Sequence, residues 1–190
     1  MKRFPARAAS LVLGLLVSAC ADSAADPIGE PTVSSLRWAQ MTDPLGWSLV
    51  GEEDDPIPEH RPEQVACSPH PWHVVGQGIE ADTGQCNYIT LSTPLVGGFD
   101  AGDTLRVETW WAPLASVERA QGHLALFVGG QPLWETTVEI PGPSDARLFE
   151  FEAPFSARAD EDVVFHLHNH GFNTWNLADF SALRSPEEVP

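Results

Sequence analysis

From Val65 onward the chain alternates apolar and polar residues in short runs, cut by glycine, proline and aspartate. Eight runs carry the pattern: WHVVGQGIEAD, CNYITLSTPL, DTLRVETWW, GHLALFVGG, PLWETTVEI, RLFEFEAPF, EDVVFHLHNH and TWNLADFSAL. Breakers such as GGFDAGD, GGQ, PGPSD and ARADED separate them. A period of two sends successive side chains to opposite faces of a strand, and no long stretch with a 3.6-residue period competes. APLASVERAQ reads as a loop, because Pro113 and its place between strands disfavour a helix. The pattern predicts an all-β fold, an antiparallel β-sandwich of about eight strands over residues 66–184, followed by a tail, 185–190. That span is enough for one core and too short for two.

The same period assigns faces. In DTLRVETWW, Leu105, Val107, Thr109 and Trp111 oppose Arg106, Glu108 and Trp110. In GHLALFVGG, Leu124, Leu126 and Val128 oppose His123, Ala125 and Phe127. In EDVVFHLHNH, Val163, Phe165 and Leu167 oppose Val164, His166, His168 and His170. Burying the aliphatic sets turns the histidines outward.

Ahead of Val65 the texture is different. Residues 1–19 combine Lys2, Arg3 and Arg7 with an apolar run from Leu11 to Val17 and then small residues, the layout of an export signal. The run falls short of the roughly 20 apolar residues a spanning helix needs. Its end, VSAC, resembles the lipobox of bacterial lipoprotein signal peptides. That resemblance implies cleavage before Cys20, a diacylglyceryl group on its thiol and an acylated amine, hence a membrane anchor. Ala21, in place of an Asp, implies the outer membrane, facing the periplasm or the surface. Residues 20–35 read as a flexible tether, and residues 36–65 as an acidic, proline-rich arm bearing Trp38 and Trp47. Pro56, Pro58 and Pro62 exclude a regular central element, so Gly51–Gln64 reads as a loop.

Charge and cysteines narrow the class. The 190 residues carry a formal charge of −17; losing the signal removes three basic residues and no acidic one, giving −20. A chain this acidic excludes nucleic-acid binding through phosphate neutralisation. With Cys20 assigned to the lipid, Cys67 and Cys86 remain as an even pair in an oxidising compartment, where a disulfide is expected. Closing that loop contributes about 3 kcal/mol in the chain-entropy model.

Strand order and spacing over residues 66–184 resemble the jelly-roll sandwich of galactose-binding-like domains, which include many carbohydrate-binding modules. The pieces that carry the resemblance are CNYITLSTPL followed by AGDTLRVETWW, then HLALFVGG, and the closing FHLHNHGFNTWNLADFSAL. The chain also resembles uncharacterised bacterial lipoproteins that end in an H-N-H-G-x-N-x-W-N segment. The first resemblance implies a glycan-binding face, with an envelope component or a protein as other partners. Ala178 stands where that strand often carries an Asp near a structural calcium, which argues against calcium, and no other cofactor follows.

Two constellations carry chemistry. A sugar site needs aromatic platforms and hydrogen-bonding groups. Trp110 and Phe127 supply the first, Arg106, Glu108 and His123 the second, with Asn173 and Trp175 at the last hairpin. The alternative is a metal-binding protein or metal-dependent enzyme, with zinc or copper on His166, His168 and His170, since imidazoles at i and i+2 share a strand face. His166 and His170 lie about 13 Å apart along a strand, so one ion takes two of the three plus His123 or Glu108. G-x-S-x-G, H-E-x-x-H, G-x-G-x-x-G and P-loop patterns are all missing, so binding is expected ahead of catalysis.

Overall fold

The computed structural model describes residues 35–185. The signal, Cys20 and most of the tether lie outside the described residues, as does most of the tail. The described chain forms β1 (Arg37–Gln40), β2 (Ser48–Leu49), two 3₁₀ turns (Glu52–Asp54 and Pro58–His60), β3 (Trp72–Val75) and β4 (Gly78–Asp82). It continues through β5 (Tyr88–Pro94), β6 (Thr104–Trp111), β7 (Ala120–Val128), β8 (Gln131–Ile140), β9 (Asp145–Glu152), β10 (Asp162–His168) and β11 (Thr174–Arg184).

These strands make two antiparallel sheets. One runs β3-β4-β11-β6-β9, with β1 also paired to β11; the other runs β2-β5-β10-β7-β8. From β4 on, the chain crosses between sheets at every connection except the β7–β8 hairpin. That is the order of an eight-stranded jelly roll. The eight alternating runs supply β3 to β11, the first of them folding into a hairpin of two strands, and residues 112–119 are a loop as expected.

The alternation in the sequence becomes the alternation of burial. Leu105, Val107 and Trp111 from one sheet meet Leu124, Leu126, Val163, Phe165 and Leu167 from the other, all 2% exposed or less. In β11 the parity changes partway, because a bulge between Leu177 and Asp179 inserts one residue. Leu177 and Phe180 consequently both face the core. Gly122 of β7 lies beneath the ring of Trp175, where a Cβ would sit 2.7 Å from two ring carbons.

The arm adds a short edge strand to each sheet and plugs the core between them. β1 pairs with residues 181–184 of β11, β2 pairs with Leu91 and Ser92 of β5, and Met41 and Trp47 are buried. The chain then crosses the outer face of the five-stranded sheet as a strap over residues 50–61. After the Val50 N–H bonds to the Thr90 carbonyl, Pro56 and Pro58 keep the strap out of the ladders, and its backbone turns in two 3₁₀ turns. Ile57 packs on Ala125, Phe127 and Val164, an apolar patch on the outer side of this sheet. Beyond the strap, a disulfide joins Cys67 to Cys86 just before β5.

Candidate functional site

The outer face of the five-stranded sheet is built in rows. His168 of β10 stands between Tyr88 of β5 and His123 of β7, and the next row sets His166 between Thr90 and Ala125. On β8, Thr137 and Glu135 continue these rows beside His123 and Ala125. The strap lays His60 over them: its ring centroid is 5.1 Å from His123, 5.4 Å from His166 and 5.1 Å from His168.

Asp55 anchors the strap. Its buried carboxylate accepts the Tyr88 hydroxyl at 2.8 Å, the Arg61 guanidinium at 3.1 Å and the Ile57 N–H at 3.1 Å. The Tyr88 hydroxyl also lies 3.1 Å from the Ile57 carbonyl. Burial, then the hydrogen bond to Asp55, pushes the tyrosine hydroxyl above its ordinary range.

The histidine rings are oriented by their neighbours. His166 Nδ1 is 3.3 Å from Thr90 Oγ1, which turns Nε2 towards His60 Nδ1, also at 3.3 Å. His123 Nε2 faces Glu135 at 3.1 Å, while its Nδ1 is buried without a hydrogen-bond partner. Burial, with His123 and His60 next, pushes His166 down to about 3, so this imidazole is neutral. His168 is pushed down to about 4 by burial and then by His170. One nitrogen from each of His60, His123 and His166 lies within 4.8 Å of the other two, the only such grouping of metal-ligating side chains among the described residues.

A groove of about 1000 Å³ opens beside these rings, between the strap and β8. Its walls include Glu59 and His60 of the strap, Gln121 and His123 of β7, and Glu135 and Glu139 of β8. Arg119, His168 and His170 line it as well.

Several residues expected at a ligand face stand elsewhere. Arg106, Glu108 and Trp110 belong to β6, in the other sheet, and so lie on the opposite outer face from the histidines. Arg106 is engaged there, stacked 3.7 Å from the Trp38 ring and paired with Glu150. Phe127 is no open platform, because Ile57 covers it. Trp175 is a core residue against Trp111, with ring centroids 5.4 Å apart. Asn173 is buried and holds the last hairpin together, bonding the Ala115 N–H, Asn169 Oδ1 and the His170 carbonyl.

The residues that could ligate a metal also differ from the expected set. His166 faces outward by parity, yet it is fully buried by the strap. His123 joins it, as the strand parity allowed. Glu108 does not, and His168 and His170 flank the group. The third member, His60, was missed because nothing in Gly51–Gln64 indicates where that loop lands. Phe172 sits on the hairpin that carries His170, with its ring 83% exposed.

No protein-family model and no curated protein sequence matches the chain. Solved structures do resemble it in fold. A CBM4 module matches at 12% identity and a TM-score of 0.45, over 75% of this chain and 89% of its own. The cleaved adhesin domain of Lys-gingipain from Porphyromonas gingivalis matches at 12% and 0.45, over 78% and 100%. The C-terminal CBM6 of LamC from Zobellia galactanivorans matches at 15% and 0.41, over 78% and 100%. At this distance the likeness is one of β-sandwich architecture, and the site has to be read from this chain's own residues.

Proposed function

We propose that this protein is a non-catalytic binding protein of the cell envelope, held to the outer membrane through a lipidated Cys20, and that the groove takes a polar ligand of the glycan class. The groove carries this reading. Carboxylates, an amide, a guanidinium and imidazoles converge on one concave surface, the donor and acceptor mixture that a polyhydroxylated chain requires. Phe172, two residues along the hairpin from the groove-lining His170 and 83% exposed, offers the apolar face of a sugar a platform. Glu135, Glu139 and Arg119 are all exposed, so they exchange water for ligand without unfolding anything.

Binding to a glycan array and to purified envelope polysaccharide tests the ligand. Binding is expected in the wild type, with a loss of about tenfold in Glu139→Ala and in Phe172→Ala, each worth roughly 1.4 kcal/mol. Blank results on both platforms would remove the glycan reading and turn attention to a protein partner. The anchor is tested separately: labelled fatty acid should enter the wild-type protein and not Cys20→Ala, and label in neither would remove the lipoprotein reading.

A further inference from the structure

We propose that His60, His123 and His166 form a binding site for a divalent transition metal, zinc being the type ion, with a fourth position open to the groove. This goes beyond the glycan reading and does not depend on it.

The ligand type comes first. The set holds three imidazoles and no carboxylate, which suits zinc, copper or nickel and disfavours calcium and magnesium, whose partners are oxygens. Geometry comes second. A tetrahedral ion with bonds of about 2.1 Å holds its nitrogens about 3.4 Å apart. His60 Nδ1 and His166 Nε2 already stand at 3.3 Å. With all three nitrogens inside 4.8 Å, closure needs a movement of about 1–1.5 Å, within reach of side-chain torsions.

The supporting contacts fit as well. Metal-bound histidines use their second nitrogen on an oxygen that fixes the ring. Thr90 stands at that position for His166 and Glu135 for His123. The remaining nitrogen of His123 is buried with no hydrogen-bond partner, an acceptor that otherwise goes unused at a cost. Finally, the ligands come from three segments: β7, β10 and the strap. An ion there would fasten the strap to the sheet.

The test uses the full chain, purified without a polyhistidine tag, stripped with chelator and titrated with Zn²⁺ in the absence of any glycan. One equivalent of Zn²⁺ should bind, and the Co²⁺ form should show the strong visible absorption of a four-coordinate site. His60→Ala and His123→Ala should each weaken Zn²⁺ binding by at least about 100-fold, Glu135→Gln by about tenfold, and His170→Ala not at all. His60 is on the strap, so its replacement leaves the sandwich core untouched. In the wild type, Zn²⁺ should slow amide exchange over residues 55–61, a reading that needs no variant. The proposal is overturned if no stoichiometric Zn²⁺ binds, or if His60→Ala and His123→Ala, folded by near-ultraviolet circular dichroism, bind as the wild type does. It is equally overturned if Zn²⁺ binding disappears only on replacing His168 and His170, or leaves exchange over residues 55–61 unchanged.

Discussion

Asp55 has no exposed side-chain surface, and it is a carboxylate. Such a group is tolerable only when its oxygens are partnered, and Tyr88, Arg61 and the Ile57 N–H meet that need. Tyr88→Phe removes one partner and leaves the rest of the strap in place. We expect a loss of about 1–3 kcal/mol, read by urea denaturation, and faster amide exchange over residues 55–61. A variant as stable as the wild type would show that the anchor lies elsewhere. His166 makes the matching prediction for pH. Its ordinary value is near 6.5, and burial holds it down to about 3 in the folded, metal-free chain. The unfolded chain therefore takes up the proton first, so stability is complete above pH 6.5 and falls as the pH drops towards 3. Nitrogen NMR of the metal-free protein should find this ring still neutral at pH 5. A midpoint near 6.5 would mean that the strap does not shield it.

At the scale of elements, β7 and β11 are matched through Gly122 and Trp175. A methyl at Gly122 meets the indole, which has neighbours on every side and cannot retreat. Gly122→Ala should cost about 1–3 kcal/mol by overpacking, measured as a lower denaturation midpoint at unchanged slope; an unchanged midpoint would contradict the packing. Strand existence, strand faces and the turns between them were legible in the sequence, because period and breakers are local signals. Trp175 was legible too, since it shares parity with Leu177, and reading it as a ligand contact overlooked that. The fate of the outward faces was not legible. Whether Phe127 is a platform or a core residue depends on what lies over it, and the cover comes from a proline-rich segment about 70 residues away in sequence. Parity likewise cannot say that β6 and β10 belong to different sheets, which is why the sequence offers Glu108 to the same ion as His166.

For the molecule as a whole, the disulfide closes a loop between residues 19 apart in sequence, with Cys67 ahead of β3 and Cys86 just ahead of β5. Replacing both cysteines with serine should lower unfolding free energy by about 3 kcal/mol. The effect should appear in global denaturation and not only at the strap, because the closed loop contains β3 and β4, two strands of the sandwich. An effect under about 1 kcal/mol would indicate that the loop is already held by its other contacts.

The route of the arm also decides what a single backbone cut would do. Glu52, Glu53 and Asp54 form an exposed turn that precedes both cysteines. Hydrolysis there would leave two pieces with no covalent link, since the disulfide lies entirely within the second. The first piece would still contribute β1 to one sheet, β2 to the other, and Met41 and Trp47 to the core. A nicked molecule should therefore migrate as one species under native conditions and as two bands in denaturant, a split protein whose halves stay together by strand pairing and packing.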